Sequence, residues 1–320
     1  MATNQNDSEQ QYNQSLLRTR QAWPLSKKIQ FTKEKIKQWY NHYNGCVYVA
    51  YSGGKDSDVL LHITRSLFPD VVAVFSNTGL EWPEIVEHVK KVPNVTIVHP
   101  SKSFKKVLDD HGYPVISKRV ARYIEDCQNP TDKNRATRIL RLTGSTVAGK
   151  PIPSMKLSNK WRFLIDAPFK VSAKCCGVMK KKPLNAYQQK TGFAAISGEM
   201  AADSSDREKT YLRGGCINFS AQHPKATPLA IWTQQDILQY CVEQDIKICS
   251  VYGDIVKTNS GFELTGLKHT GCMFCMFGLQ YETGENRFQR MKRTHPRLWN
   301  YCMTKLGIAR VLEYLGIAAQ

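Results

Sequence analysis

Apolar residues in the first hundred positions follow two alternating spacings, and this pattern predicts strands that alternate with helices. Short apolar runs rich in Val and aromatic residues predict strands, whereas apolar side chains that recur every three or four residues predict helices. The predicted strands cover residues 46–51, 71–76 and 95–98. The predicted helices cover residues 31–43, 58–67 and 82–89. This alternation is typical of a parallel sheet flanked by helices, in which ligands bind at the carboxyl ends of the strands.

The rest of the chain predicts further elements and a domain plan. A strand is predicted at residues 193–197, a helix at 234–242, and a helix at 296–315 that is interrupted at Gly307. Residues 1–25 predict a flexible leader. We expect an α/β domain over residues 26–250, with a basic, partly helical insertion near 118–170, and a C-terminal portion over 251–320.

One turn between a predicted strand and a predicted helix has the composition of a phosphate-binding loop. Residues 52–57 read Ser-Gly-Gly-Lys-Asp-Ser, and we call them the phosphate loop. Small residues there let backbone N–H groups at the start of the helix meet phosphate oxygens, and Lys55 can neutralise the charge of those oxygens. The two glycines are adjacent, so the spacing differs from that of a Walker A loop. A Ser/Gly turn with a solvated lysine is the structural alternative.

The charge balance predicts a polyanionic partner. The 320 residues include 45 Lys and Arg against 27 Asp and Glu, which gives a formal net charge of +18. Residues 150–190 hold many lysines and a single acid, Asp166, and a second basic stretch covers residues 287–305. Such density is typical of proteins that bind nucleic acid or phosphate-rich nucleotides. A solvated basic face that aids solubility has the same composition.

Composition also indicates the compartment and the chemistry of the cysteines. No apolar run is long enough to cross a bilayer, and the polar start lacks the layout of a signal peptide, so we expect a cytoplasmic protein without a membrane partner. The ten cysteines do not predict a disulfide framework, because cytosolic thiols stay reduced. Metal or redox chemistry is therefore the leading interpretation of at least some of them.

Two pairs of cysteines have the spacing of metal or cluster ligands. Cys175 and Cys176 are adjacent, and Cys272 and Cys275 form a Cys-x-x-Cys turn. Four thiolates fit either a zinc ion or a 4Fe-4S cluster. Adjacent cysteines favour the cluster, because neighbouring side chains diverge and a cluster can accept them on different irons. For the other, scattered cysteines, burial in the core is the simpler interpretation.

These motifs resemble those of two related groups of proteins. The phosphate loop resembles the PP-loop of the ATP pyrophosphatases, which bind ATP and split it between the α- and β-phosphates. The two cysteine pairs resemble those of the cluster-containing sulfonucleotide (APS/PAPS, phosphoadenosine phosphosulfate) reductase family. Residues 77–84, Asn-Thr-Gly-Leu-Glu-Trp-Pro-Glu, and the series Gly198, Ser204 and Arg207 are similar to further motifs of that family.

The resemblance implies a fold and a set of site residues. The implied fold is the adenine nucleotide alpha hydrolase-like (PP-loop) α/β fold, a parallel sheet flanked by helices, with a cluster-bearing C-terminal portion. The implied catalytic residues are Lys55, which would offset charge on the leaving group, and Asp56, which could position Mg²⁺. The implied nucleotide-binding residues are Ser52, Gly53, Gly54, Ser57, Thr78, Gly79, Glu81, Gly198, Ser204 and Arg207. The implied ligands of a 4Fe-4S cluster are Cys175, Cys176, Cys272 and Cys275.

Two departures from the family bear on function. The reductases carry a C-terminal Glu-Cys-Gly-Leu-His segment whose cysteine attacks the sulfate sulfur, whereas no cysteine follows Cys302 in this sequence. They also place an arginine pair after the glycine of the Gly…Ser…Arg signature, where this chain has Glu199 and Met200. A phosphosulfate site without those guanidiniums loses its bidentate anion contacts.

We therefore expect an ATP-using, cluster-containing enzyme that adenylylates an acceptor so that sulfur can be inserted, similar to enzymes that thiolate tRNA or DNA. The expected partners are ATP, a nucleic acid and a sulfur donor such as a cysteine desulfurase. An assimilatory APS/PAPS reductase is the alternative, with Cys302 as a substitute nucleophile. A nucleic-acid-binding protein with a structural cluster is a third alternative, although it leaves the phosphate loop without a role.

Overall fold

The chain forms two compact units in the computed structural model, which describes residues 2–219 and 223–319. The first unit contains Met1–Asn77, Glu81–His99 and Pro183–Thr270. The second unit contains Thr78–Leu80, Pro100–Lys182 and Gly271–Gln320. In the part of the chain that the structure describes, no helix is both long and apolar enough to span a membrane.

Strands and helices alternate along most of the chain. The strands are β1 (Val47–Tyr51), β2 (Val72–Ser76), β3 (Val95–Val98), β4 (Val115–Ile116), β5 (Ala194–Ser197), β6 (Ile217–Asn218), β7 (Lys225–Ala226), β8 (Ile255–Thr258), β9 (Gly261–Leu264) and β10 (Met276–Phe277). The helices are α1 (Ala2–Gln21), α2 (Leu25–His42), α3 (Lys55–Leu67), α4 (Pro83–Lys90), α5 (Phe104–His111), α6 (Lys118–Gln128), α7 (Arg135–Thr143), α8 (Lys182–Thr191), α9 (Ser205–Gly214), α10 (Gln234–Glu243), α11 (Arg287–Thr294), α12 (Pro296–Asn300) and α13 (Ile308–Tyr314).

The first unit is built on a six-stranded sheet with the order β3-β2-β1-β5-β7-β6. Neighbouring strands are parallel except for β6, which runs antiparallel to β7. Val49 in the centre of β1 pairs with Ala73 on one side and Ile196 on the other, and all three side chains are fully buried. Strands buried on both faces read as continuous apolar runs, which is why their sequence signal is strong. The predicted α/β fold with a parallel sheet flanked by helices is confirmed.

The strand order fixes where a ligand can bind in the first unit. In the strand order of the sheet, β2 and β3 lie on one side of β1, whereas β5 lies on its other side. Such a reversal leaves a crevice at the carboxyl ends of the two central strands. The phosphate loop follows β1 and Gly198 follows β5, so both lie at this switch point.

Two regions differ from or refine the sequence expectation. Where a flexible leader is expected, the structure has α1, and Leu17 on this helix is fully buried. The helix is held by α9, because Arg18 pairs with Glu208 and Arg20 donates to the hydroxyl of Tyr211. The basic insertion contains α6 and α7 followed by a 3₁₀ helix at Asn159–Asp166. The predicted break at Gly307 is confirmed between α12 with its π-helical turn and α13.

A buried polar network ties α2 to the segment that begins α10. Lys28 Nζ lies 2.6 Å from Asp236 Oδ2, and both side chains are almost completely buried. The same carboxylate accepts from the backbone N–H and the hydroxyl of Thr233, which caps α10. Trp232 Nε1 donates to the hydroxyl of Thr32, one turn along α2 from Lys28. The Lys28 ammonium therefore neutralises the charge of the buried Asp236 carboxylate.

We expect Lys28→Met to destabilise the protein by about 3–5 kcal/mol, because it leaves the Asp236 carboxylate buried without its counter-charge. The measurement is urea unfolding followed by circular dichroism. Lys37→Met, the same exchange at an exposed position of α2, is the control and should change the free energy of unfolding by less than about 0.5 kcal/mol. Equal stabilities for the two variants would contradict the structural role of the ion pair.

Candidate functional site

The phosphate loop makes a turn that requires glycine. Gly53 adopts φ +69°, a left-handed conformation that disfavours residues with a side chain. A Cβ atom at this position would lie 2.7 Å from Val89 Cγ2 and 2.9 Å from Ile85 Cγ2, both on α4. The loop backbone is therefore pressed against α4, and glycine is needed both for its conformation and for the space.

Two serines hold the shape of the loop. Ser57 Oγ donates to the carbonyl of Gly54 at 2.7 Å and accepts from the backbone N–H of Ser52 at 3.2 Å. Ser52 Oγ in turn accepts from the N–H of Gly54 at 3.3 Å. Ser57 is buried and Ser52 is exposed. Ser52, Gly53, Gly54 and Ser57 are thus brought together at the N-terminus of α3, as a phosphate cradle requires.

Lys55 and Asp56, the two predicted catalytic residues, form an ion pair at the start of α3. Lys55 Nζ lies 3.2 Å from Asp56 Oδ1 and 5.2 Å from the ring centre of Tyr252. The lysine side chain is only 1% exposed, so its ammonium does not point into solvent in this structure. Burial raises the pKa of Asp56 above its usual value, although Lys55 acts in the opposite direction. Asp56 Oδ1 is buried and is contacted by the Lys55 ammonium, without a hydrogen bond to any other residue that the structure describes.

Tyr252 and Thr270 complete the loop, and sequence reasoning did not select either as a site residue. The Tyr252 hydroxyl accepts from the backbone N–H of Lys55 at 3.4 Å and lies 2.8 Å from Thr270 Oγ1. A Cβ atom on Gly54 would approach the Tyr252 oxygen to 3.0 Å and Thr270 Oγ1 to 3.4 Å. Two hydroxyls therefore face the second glycine of the loop. Thr270 stands two residues before Cys272 of the Cys-x-x-Cys turn, and this position is a signal that could have found it.

Gly198 approaches the loop from the neighbouring strand, whereas Ser204 and Arg207 have structural partners. A Cβ atom on Gly198 would lie 3.1 Å from the carbonyl oxygen of Asp56. Ser204 Oγ accepts from the N–H of Arg207 and caps α9. Arg207 pairs with Asp203, whose negative charge contributes to the raised pKa of Asp56.

Glu199 stands where the sequence suggests that a reductase would have an arginine. Both of its carboxylate oxygens accept from Lys225 Nζ, at 2.8 and 2.9 Å. Burial by itself would raise the pKa of Glu199, but the charge of Lys225 and its hydrogen bond lower it below the usual value. An ionised carboxylate paired in this way cannot offer the bidentate anion contact of a guanidinium.

The remaining predicted nucleotide-binding residues follow β2. Thr78 and Gly79 belong to the second unit, and Glu81 belongs to the first. Thr78 Oγ1 accepts from the N–H of Leu80 at 3.2 Å. Gly79 adopts φ +72° and has open space where a Cβ would be. Contacts of these three residues with a nucleotide stay a prediction.

A cleft of about 460 Å³ in the first unit is lined by residues of β1, α3 and α4 together with Val92, Ile246 and Lys247. Asp58 lies there, and its Oδ1 accepts from the Tyr51 hydroxyl at 2.5 Å and is 3.1 Å from His88 Nε2. Burial, followed by the charge of Asp58, raises the pKa of Tyr51, so its hydroxyl stays protonated and donates. Sequence reasoning missed this group, because its members are separated along the chain and share no motif.

The four predicted cluster cysteines lie close enough in the second unit for their charges to influence one another. Cys175 Sγ lies 4.0 Å from Cys176 Sγ. The hydrogen bond to Cys176, followed by burial and by the charges of Cys176, Cys275 and Cys272, raises the pKa of Cys175. The hydrogen bond from Cys175 lowers the pKa of Cys176 to about 6, and three lysines act in the same direction. These lysines are Lys118, Lys180 and Lys181. The cysteines thus share one environment in which a thiolate is stabilised by lysines.

The same cysteines are not arranged around one point. Among the described residues, no group of three His, Cys, Asp or Glu side chains converges closely enough to hold a single metal ion. Cys302, the substitute nucleophile of the reductase alternative, is 0% exposed, and burial raises its pKa. A protonated and inaccessible thiol is a poor nucleophile.

Comparison with known proteins finds a matching family model and two similar curated proteins. A family model described as the phosphoadenosine phosphosulfate reductase domain matches residues 46–115 and 121–276, more than half of the chain. The uncharacterized protein MJ0973 of Methanocaldococcus jannaschii is 24% identical over 270 residues, which cover 83% of this chain and 49% of that protein. The uncharacterized protein MJ0066 of the same organism is 36% identical over 84 residues, 25% of this chain and 18% of that protein. This chain spans half or less of the length of these curated relatives.

Two solved structures align with the chain at low identity. One is phosphoadenylyl-sulfate (PAPS) reductase from Candida auris in a phosphate complex, with a TM-score of 0.39, 16% identity and coverage of 68% of this chain and 82% of that chain. The other is FMN adenylyltransferase from Candida glabrata, with a TM-score of 0.40, 12% identity and coverage of 77% of this chain and 67% of that chain.

We expect Gly53→Ala to lower the free energy of unfolding by about 1–3 kcal/mol, since the new methyl group is strained at φ +69° and meets two α4 side chains. Thermal and urea unfolding measure the effect. Gly177→Ala is the matched control, because a Cβ there meets nothing within 4 Å and φ is not positive. If both substitutions were neutral, the described loop conformation would be wrong.

Proposed function

Because the chain belongs to the phosphoadenosine phosphosulfate reductase domain family, we propose that it is a nucleotide-using enzyme that splits ATP between the α- and β-phosphates and adenylylates an acceptor for sulfur transfer. The acceptor in this proposal is a nucleic acid, either tRNA or DNA. The observation that carries it is the phosphate loop, whose turn, serines and Lys55–Asp56 pair lie together at the switch point of the sheet. Burial of Cys302 argues against the sulfonucleotide reductase alternative.

The proposed first step is a displacement at phosphorus. An acceptor oxygen attacks the α-phosphorus of ATP, the bond to the oxygen that bridges to the β-phosphate breaks, and pyrophosphate leaves with the electron pair. Backbone N–H groups at the start of α3 would hold the departing phosphates. Lys55 would offset the charge that grows on them. A sulfur nucleophile from a donor such as a cysteine desulfurase would then displace AMP from the activated acceptor.

Asp56 suits a magnesium ion. Its Oδ1 atom is buried beside the Lys55 ammonium, and burial raises the pKa of this carboxyl group despite that ammonium, so a second cation would stabilise the ionised form further. Mg²⁺ prefers carboxylate and phosphate oxygens, which this carboxylate and the nucleotide would provide together. Asp56 would thereby orient the phosphates toward the loop.

A 4Fe-4S cluster is the proposed occupant of the cysteine site. Cys175, Cys176, Cys272 and Cys275 would be its ligands, and lysines near Cys176 favour the thiolate form that a cluster requires. Adjacent cysteines favour the cluster over a single zinc ion, because a four-iron cluster can accept neighbouring side chains on different irons. When bound, such a cluster supplies electron transfer and inorganic sulfide.

We expect Lys55→Ala and Asp56→Ala to lower the rate of AMP and pyrophosphate formation by at least about 10²-fold, because each removes charge stabilisation at the reacting phosphates. The measurement uses anaerobically purified protein, radiolabelled ATP, and tRNA, duplex DNA or no acceptor. Lys257→Ala, at an exposed position of β8, is the control and should keep the wild-type rate. Formation of ADP by the wild type would rule out the pyrophosphatase proposal.

We expect anaerobically purified protein to be brown and to contain about four irons and four sulfides per chain. Serine at Cys175, Cys176, Cys272 or Cys275 should remove most of the iron and the visible absorbance, since the hydroxyl is a poor ligand for iron. Cys46→Ser, at an exposed cysteine, is the control and should keep both. Stoichiometric zinc without iron in the wild type would contradict the cluster.

A further inference from the structure

The second unit carries a group of aromatic and basic side chains on its surface that the proposed chemistry does not use. Its members are Lys160, Trp161, Arg162 and Phe163 in the 3₁₀ helix Asn159–Asp166, and Tyr314 at the end of α13. We call these five residues the aromatic-basic patch. Two segments that are about 150 positions apart in sequence therefore form one surface.

The rings of the patch form a continuous series. The Trp161 and Phe163 ring centres are 6.4 Å apart, and those of Phe163 and Tyr314 are 5.7 Å apart with an interplanar angle of 32°. The Tyr314 hydroxyl donates to the carbonyl of Phe163 at 3.3 Å. Tyr314 also packs edge-on against Phe169, at 5.4 Å. The rings are thus held in place rather than free to turn.

The rings of Phe163 and Tyr314 are partly exposed, although other aromatic side chains are buried beneath them. Phe163 is 42% exposed and Tyr314 is 38% exposed. Below them, Phe169 and Tyr113 are both 7% exposed and pack against each other at 5.7 Å. Fixed aromatic faces that remain open to solvent indicate a surface on which another flat group stacks.

The charge around these rings is positive. Lys160 Nζ lies 4.8 Å from the centre of the Trp161 ring. The half-buried Arg162 donates from Nη2 to the carbonyl of Leu142, and its Nε is buried without a partner among the described residues. Lys170, next to Phe169, is exposed. The acids close to the patch in sequence are Asp166 and Glu313, so the cations are in excess.

The second basic stretch of the sequence is a poorer candidate for phosphate contacts. Arg287 pairs with Glu282 and donates to the carbonyl of Cys275 at 2.9 Å. Arg290 and Arg293 both pair with Glu285, at 3.4 and 3.0 Å. Each guanidinium of α11 therefore already has a carboxylate partner, with three guanidiniums sharing two carboxylates.

We propose that the aromatic-basic patch binds an unpaired stretch of polynucleotide, with bases stacked on Trp161, Phe163 and Tyr314 and phosphates against Lys160 and Arg162. This proposal rests on the proposed function, because it identifies where the nucleic-acid acceptor is held. Duplex bases have their faces covered by neighbouring base pairs, so exposed rings select a single strand or a loop. RNA and DNA share this chemistry, and the experiment distinguishes them.

The experiment measures binding of fluorescently labelled oligonucleotides of one sequence as single-stranded RNA, single-stranded DNA and duplex DNA. Wild-type protein should bind a single strand more tightly than the duplex, and the tighter of the two single strands identifies the acceptor class. Trp161→Ala and Phe163→Ala should each weaken single-strand binding by about five- to a hundredfold. Tyr281→Ala is the matched control, because Tyr281 is 78% exposed and lies in a different segment, and its binding should equal that of the wild type.

The charged members of the patch are tested by the salt dependence of the same binding. The slope of log K against log salt is negative, and Lys160→Gln and Arg162→Gln should each reduce its magnitude by about 0.7, the value for one phosphate contact of a single strand. Lys257→Gln, a charge removed from β8 in the first unit, should leave the slope unchanged. Equal slopes for all three variants would overturn the proposal.

Ultraviolet crosslinking of the wild type keeps the test independent of whether a variant folds. Crosslinks to single-stranded RNA or DNA should map to peptides that contain residues 160–163 or Tyr314. Crosslinks confined to other segments, or binding of duplex as tight as that of single strands, would overturn the patch. If the wild type binds single strands at the patch but nucleic acid does not stimulate AMP formation, the thiolation proposal alone would be overturned.

Discussion

The turn at Gly53 is the constraint on which the candidate site depends. A strand must end, reverse its direction and start a helix within six residues, and the backbone does so pressed against Ile85 and Val89 of α4. Ser52 and Ser57 then close hydrogen bonds across the turn, which leaves the first turn of α3 aimed at the switch point of the sheet. Gly198, Tyr252 and Thr270 are placed by distant parts of the chain, and each approaches this one short segment.

The elements that were predicted well are those whose pattern is set by the sheet. Strands β1, β2 and β3 are found within one residue of the predicted bounds, because buried parallel strands impose unbroken apolar runs. Helices on the surface of such a sheet show their apolar stripe clearly, as α10 does. Helix α1 was missed because most of its residues are polar, and its position depends on pairing with α9, which no local pattern reveals.

The candidate site was predictable only where its residues are consecutive. The phosphate loop and the four cysteines stand in short motifs, whereas the Tyr51–Asp58–His88 group and the pairing of Glu199 with Lys225 arise from tertiary contacts. The environment of Lys55 could not be read from the sequence either. Its motif suggests an open ammonium, but the folded chain buries it between Asp56 and the ring of Tyr252.

The Lys55–Asp56 ion pair would link two binding equilibria. In the proposed function, a phosphate that takes the Lys55 ammonium would leave the Asp56 carboxylate without its counter-charge, and a cation on Asp56 would remove that penalty and release the lysine. Each of these two ligands would then raise the affinity for the other by the same factor, as thermodynamic linkage requires. Such a pair would favour a metal–nucleotide complex over either component alone.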